Sequence, residues 1–227
     1  MIEQAGRGRE RTVLMVHRDL RRVLEVQPDL QVIHMLRDPR DVARSSIGMG
    51  WAGNVYHGVE HWMKTEADWT AAARQMTGTP CVDLRYEDLV LHPEAEIARI
   101  CGFLGVTFDP AMLNYDQWST YDKPDGALTY QWRRKLSPRE VGLLEGRLGD
   151  LLEARGYVSS GHQRIRPSLT GRLALWLNNK GGIWRRRFRD YGLIDPIAVS
   201  LANRMRVPGL ARRARERMDE KLIASLK

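Results

Sequence analysis

The chain has 227 residues, 43% of them apolar and 28% charged, a length and composition that suit one globular domain plus an appendage and exclude a disordered or fibrous protein. No run approaches the roughly 18 uninterrupted apolar residues of a membrane-spanning helix. The formal charge of +8 is unevenly placed: residues 164–227 hold 16 Lys/Arg against 5 Asp/Glu, a net +11, while residues 1–163 hold 20 against 23, a net −3. A near-neutral domain over 1–160 and a basic, mostly helical extension over 161–227 are therefore expected. Met1 to Arg11 carry no secretory apolar region. Cys81 and Cys101, each in an apolar segment, are expected as buried thiols of a reducing compartment rather than a disulfide framework.

In chain order, Val16, Leu20, Val23 and Leu24 share a helical face. Leu30–Leu36 is a short apolar run after Pro28 and reads as a buried strand. Asp38 is placed to cap a helix whose first residue is Pro39, where the missing N–H costs nothing. Trp62, Trp69, Ala72, Ala73 and Met76 recur at helical spacing. Cys81–Arg85 reads as a second strand, followed by a helix opening at Pro93-Glu94, with Ile97, Ile100, Cys101 and Leu104 on one face and Gly105 placed to end it. Ser137-Pro138-Arg139-Glu140 is a capping box, and Val141, Leu144, Leu148 and Leu152 form the stripe behind it. Strands alternating with amphipathic helices predict an α/β domain, a parallel sheet flanked by helices.

In the extension, Leu169, Leu173, Trp176 and Leu177 share a face, and Trp184-Arg-Arg-Arg-Phe188-Arg189 follows as a basic run edged by aromatics. Asp195-Pro196 is placed to open another helix, and Leu210, Ala214, Met218, Leu222 and Leu226 line a last one.

The chemistry gathers after the first strand. Arg37 at a strand's carboxyl end stands where open parallel sheets bind ligands. The helix behind it offers N–H groups and a positive dipole end, and Ser45 lies about two turns further along. A guanidinium, helix N–H groups and a hydroxyl suit a phosphate. An ordinary capped helix with Arg37 paired to Asp38 or Asp41 explains the same residues.

Several fragments in order widen the context: the strand, Arg37-Asp38-Pro39-Arg40-Asp41, Ser45, a Trp-bearing helix, Leu84-Arg-Tyr86-Glu87-Asp88-Leu89, Pro93-Glu94, Phe103-Leu104-Gly105, Trp132-Arg133, Leu136-Ser137-Pro138 and Gly156-Tyr157. In this order, over Pro28 to Tyr157, the chain resembles the bacterial branch of the PAPS-dependent sulfotransferases. The resemblance implies a P-loop-nucleotide-hydrolase-like fold and PAPS (3′-phosphoadenosine 5′-phosphosulfate) as sulfuryl donor, with no metal. It implies that Arg37 and Ser45 bind the 3′-phosphate and that Tyr86 lies by the adenine. Arg133 and Arg134 are candidates for a second phosphate contact, or form a solvated basic face. Glu87 and Asp88 are expected to hold the strand–helix turn.

The family also has an earlier strand leading into a loop that holds the 5′-phosphosulfate. Only Met1 to Asp29 precede Leu30 here, with no apolar strand. Gly6-Arg7-Gly8-Arg9-Glu10-Arg11-Thr12 is the single Gly-rich basic stretch nearby. The chain is therefore expected to be N-terminally incomplete, to receive the loop from another polypeptide, or to have lost the chemistry. No Walker A pattern occurs, which argues against a kinase or ATPase. His17, His34, His57 and His61 each read better as structural than as a base, so no catalytic residue is assigned.

The expected function is sulfuryl transfer from PAPS to a hydroxyl or amine of a saccharide, glycolipid or other metabolite, in the cytoplasm or at the periphery of a membrane. The alternatives are a silent nucleotide-binding module of the same fold, or a basic protein associated with nucleic acid. For the tail, packing back onto the domain, an anionic membrane surface and nucleic acid are the three readings. Nucleic acid is the weakest, because no recognition module accompanies the charge.

Overall fold

In a computed structural model of the chain, the described residues are 12–16, 20–27, 29–117, 119, 123 and 125–225. Residues 6–11 of the Gly-rich stretch, His17 and Leu226 lie outside them. The elements in chain order begin with α1 (Arg21–Val26), β1 (Val32–Leu36), α2 (Pro39–Gly48), α3 (Val55–Gly58) and α4 (Glu60–Ala73). Then come β2 (Cys81–Arg85), α5 (Tyr86–Leu91), α6 (Pro93–Leu104) and 3-10 turns at Pro110–Gln117 and Gly126–Leu128. The rest is helical: α7 (Trp132–Lys135), α8 (Pro138–Leu148), α9 (Leu151–Ala154), α10 (Leu169–Tyr191), α11 (Ile194–Arg204) and α12 (Pro208–Ser225).

The residues form two compact units that interleave along the chain. One comprises Met1–Leu36 with His61–Lys123, the other Arg37–Glu60 with Pro124–Lys227. In the first, β1 and β2 pair in parallel, with Val32 opposite Cys81 and Leu36 opposite Arg85. The parallel pairing expected of an α/β chain is present, as a two-stranded sheet among the described residues. The strand is narrower than the apolar run and buried on one side. Val32, His34 and Leu36 are buried while Met35 is exposed, the two-residue alternation of a strand with one covered face. Gln31 Nε2 ties the start of β1 to the Phe103 carbonyl at 2.8 Å. α6 begins at Pro93 and ends at Gly105, whose φ of 65° is the left-handed cap conformation that glycine adopts without strain. Cys101 is buried there, but Cys81, the first residue of β2, is exposed. α1 is shorter than the apolar spacing suggests and leaves Val16 outside it.

The second unit is built on α8. Ser137 caps it through a complete capping box with Glu140. Val141, Leu144, Leu148 and Leu152 are all buried, the last from α9. Gly142 and Gly146 sit where an added Cβ would strike the backbone at Gln163 and Ile165, so the strap 163–165 lies directly on the helix. α10, the first helix of the basic extension, packs in this unit against the turn before α3. The Gly53 N–H donates to Asn179 Oδ1 at 2.6 Å, and Asn54 Nδ2 donates to the Leu175 carbonyl at 2.8 Å. A Cβ on Gly53 or Gly182 would meet the opposing backbone, so glycine is what permits this approach. Asp195 does not cap α11. That helix starts at Ile194 without a side-chain cap, and Asp195 instead accepts from Arg217 at 2.8 Å and Lys221 at 2.7 Å, binding α12 to α11. No helix among the described residues is long and apolar enough to cross a membrane.

Candidate functional site

Arg37 is the first residue of the second unit and stands half-buried directly before the capped helix. Asp38 caps α2 as its position implies, its Oδ1 accepting from the Arg40 N–H at 2.9 Å, with Pro39 in the first turn. The cap has a consequence for anion binding. Pro39 has no N–H, the Arg40 N–H is taken by the Asp38 side chain, and the Asp41 and Val42 N–H groups both bond the Asp38 carbonyl at 3.0 Å. The helix end is thus already satisfied, with two carboxylates at its positive pole. An incoming phosphate must rely on side chains rather than on those amides.

The second arginine of the motif, Arg40, is structural. Its guanidinium is fully buried and donates Nε and Nη2 to the two oxygens of Asp38 at 2.9 and 2.8 Å, and Nη1 to Glu145 at 2.7 Å and to the Val158 carbonyl at 3.1 Å. Its plane lies 3.7 Å from the Trp132 ring centroid, while Trp132 Nε1 donates to Asp38 Oδ2 at 3.0 Å. Glu145 also accepts from Ser159 Oγ at 3.1 Å and the Ser160 N–H at 3.0 Å. Burial works to lower the pKa of Arg40, and its bonds to and attraction from Asp38 and Glu145 outweigh that, so the charge is held more firmly than usual. Asp41 clamps the start of α7, accepting from the Trp132 N–H at 2.8 Å and the Gln131 N–H at 3.2 Å. Burial is the main cause that raises its pKa, with the Asp38 charge adding to it; the two backbone bonds and the Arg37 charge pull the other way.

This lattice positions the arginines left over. Arg37 Nη2 reaches the Leu128 carbonyl at 3.4 Å, and Arg134 Nη2 donates to the neighbouring Ala127 carbonyl at 2.9 Å. Two guanidinium groups, one before α2 and one from α7, are thereby brought to a single turn, Gly126–Leu128. Arg133 is exposed on α7 and lies 4.8 Å from the Tyr130 ring centroid. Arg44 donates to Gln131 Oε1. Ser45 is half-buried on α2, about 9 Å along the axis from Pro39 at the helical rise. Its neighbour Ser46 is turned inward, with Oγ bonded to the Val42 carbonyl at 2.9 Å.

Tyr86 belongs to the first unit, half-buried as the first residue of α5, with Glu87 behind it fully buried. His34 lies in the same unit and is committed on every side. Nδ1 is 2.9 Å from Oδ1 of Asp83, its partner across the parallel pair, and Nε2 is 3.4 Å from Oε1 of the buried Glu66. The ring stacks on Trp69 at 3.8 Å and 11°. That arrangement ties β1 to β2 and α4. Among the described residues no group of His, Cys, Asp and Glu is arranged to hold a metal ion.

Sequence reasoning missed the Arg40–Asp38–Glu145–Trp132 cluster. The signal present was a second arginine inside the buried first turn of a helix already carrying two aspartates, which needs a partner from elsewhere.

Comparison with known proteins finds likenesses to sulfotransferases over part of the chain. The model of the sulfotransferase family matches residues 8–110. Protein-tyrosine sulfotransferase A of Caenorhabditis elegans is 29% identical over 100 residues, covering 41% of this chain and 26% of that protein. The chain thus spans about a quarter of that relative's length. Among solved structures, a sulfotransferase domain from the curacin biosynthetic pathway aligns with a TM-score of 0.45 and 21% identity, over 56% of this chain and 54% of that one. A sulfotransferase domain from the Synechococcus PCC 7002 olefin synthase aligns with a TM-score of 0.43 and 25% identity, over 55% and 53%.

Proposed function

We propose that the protein, whose residues 8–110 match the model of the sulfotransferase family, transfers a sulfuryl group from PAPS to a hydroxyl or amine, with Arg37 and Ser45 holding the donor's 3′-phosphate. The observation that carries the reading is the meeting of Arg37 and Arg134 at the turn Gly126–Leu128, where they reach the Leu128 and Ala127 carbonyls. A guanidinium exchanges such a bond for a charge-assisted one to phosphate at a net gain. This donor set of cations and a hydroxyl fits a phosphate-bearing cofactor.

When bound, PAPS supplies the activated sulfuryl group, and the residues of this chain supply grip and orientation. Arg37 is anchored to the helix start and presents its charge from a fixed place. Arg133 and Arg134 extend the positive field for a second phosphate contact. The free thiols Cys81 and Cys101 suit a reducing compartment, in keeping with a cytoplasmic protein.

Isothermal titration with 3′-phosphoadenosine 5′-phosphate and with AMP tests the reading. The account expects the doubly phosphorylated nucleotide to bind at least about tenfold more tightly, the worth of one charge-assisted contact. Equal affinities would remove the 3′-phosphate site. A nucleotide-binding module without transfer chemistry is the second reading, favoured by the engagement of both His34 ring nitrogens with carboxylates. Tight binding with no consumption of PAPS across sugar, lipid and peptide acceptors selects it.

A further inference from the structure

The basic extension presents α10 with two unlike faces. Leu175, Asn179, Gly182 and Arg186, at helical spacing, face the turn at Gly50–Asn54 and dock the helix there. The stripe about half a turn away, Leu169, Leu173, Trp176 and Leu177, is 81, 59, 47 and 56% exposed. These are large apolar side chains in water on a helix whose other side is already anchored. We propose that this outward face of α10 docks on an anionic phospholipid surface, lying in the interface plane rather than crossing it.

Charge favours that occupant. Lys180, with its Nζ 5.8 Å from the Trp176 ring centroid, continues the apolar stripe, and Arg187 lies 5.6 Å from the Trp184 ring centroid. Arg172, Arg185 and Arg189 are exposed on the same helix. Amphipathic rings beside long cationic side chains match the boundary between acyl chains and headgroups: the rings enter, and the aliphatic stems lie along them with the charge outward. The whole region from residue 164 carries a net +11, which the negative potential of an anionic leaflet attracts at about 1 kcal/mol per nearby cation. At 23 residues with a strongly basic second half, the helix is not one that spans. α11 adds exposed Ile194, Ile197 and Leu201 to the apolar surface of the same unit. The inference is independent of the donor reading, since none of these residues belongs to the phosphate site.

Co-sedimentation of the full chain with phosphatidylcholine vesicles, with and without phosphatidylglycerol, tests it, with tryptophan emission followed in parallel. The expected result is binding to the anionic vesicles alone, a blue shift of emission, and weakening with salt. Leu173→Glu with Trp176→Glu is expected to cost at least about tenfold in affinity. Lys180→Gln with Arg187→Gln, the two cations on the side of the apolar stripe, is expected to cost about thirtyfold and to weaken the salt dependence. All these side chains are on the outward or solvent side, and unchanged far-UV circular dichroism confirms that the variants fold. Absence of binding to anionic vesicles overturns the proposal, as does equal binding to neutral ones. Self-association or duplex DNA binding in place of vesicle binding overturns it too, as does indifference to the Leu173/Trp176 pair.

Discussion

Replacing Arg40 with methionine removes the guanidinium at the centre of the buried cluster while keeping much of its length. Three charge-assisted bonds to carboxylates and one to the Val158 carbonyl disappear, together with the stacking on Trp132. At about 1.5–3 kcal/mol each, the three charged bonds alone suggest a larger loss than is expected. Asp38 keeps the Arg40 N–H and Trp132 Nε1, and Glu145 keeps Ser159 and Ser160, so each buried carboxylate retains hydrogen bonds but loses the Arg40 cation. The cost of breaking a buried pair by removing one partner, about 3–5 kcal/mol, is the better figure. At this chain length it lowers the melting temperature by roughly 6–20 °C. Arg40→Lys keeps the charge but not the planar fork, and falls between the methionine variant and the parent. Urea titration followed by tryptophan fluorescence and circular dichroism measures both. An Arg40→Met protein within about 1 kcal/mol of the parent would refute the structural role given to this residue, because surface substitutions commonly cost no more than that.

Other outcomes follow from the same geometry. Gly53→Ala or Gly182→Ala pushes a methyl group into opposing backbone and should loosen α10 from its turn, seen as faster amide exchange around Asn179, with a stability loss of about 1–3 kcal/mol. His57 has its pKa lowered, first by burial and then by the Arg147 charge. The unfolded chain therefore binds that proton more readily. Its contribution to stability is complete above the ordinary histidine range near 6.5 and is lost as pH falls through the lower folded value. His57→Gln should flatten the acid limb of a stability–pH profile measured by urea titration. Trp69→Ala strips the stacked face from His34 at a half-buried position and should cost about 1–3 kcal/mol in a urea titration, less than a fully buried tryptophan would.

Local signals carried far in this chain. β2 spans the expected Cys81–Arg85, and the caps at Asp38, Ser137 and Gly105 form as their residue types require, because each depends on contacts within a few positions. What the chain order hid was long-range. Glu145 lies 105 residues from Arg40, and no periodicity links them. The Arg-Asp-Pro-Arg-Asp segment gives no hint that Asp38 and Asp41 also hold Arg40, Trp132 and the Gln131 and Trp132 N–H groups. The helix amides that seemed open to phosphate are consumed by the same cap. At Asp195-Pro196 a helix opens as the pair suggests, but the Asp195 carboxylate serves a long-range contact, accepting from Arg217 and Lys221 of α12. The meeting of Arg37 with Arg134 at Ala127 and Leu128 was visible only as two separate candidates.

The account separates two arginines three residues apart, one for ligand and one for fold, and calorimetry on Arg37→Ala tests that division most directly. Titrated with 3′-phosphoadenosine 5′-phosphate and with AMP, the variant should lose the tighter binding of the first while keeping its affinity for the second and its melting temperature. A variant that still prefers the 3′-phosphorylated nucleotide as strongly as the parent would contradict the assignment of Arg37 to that phosphate.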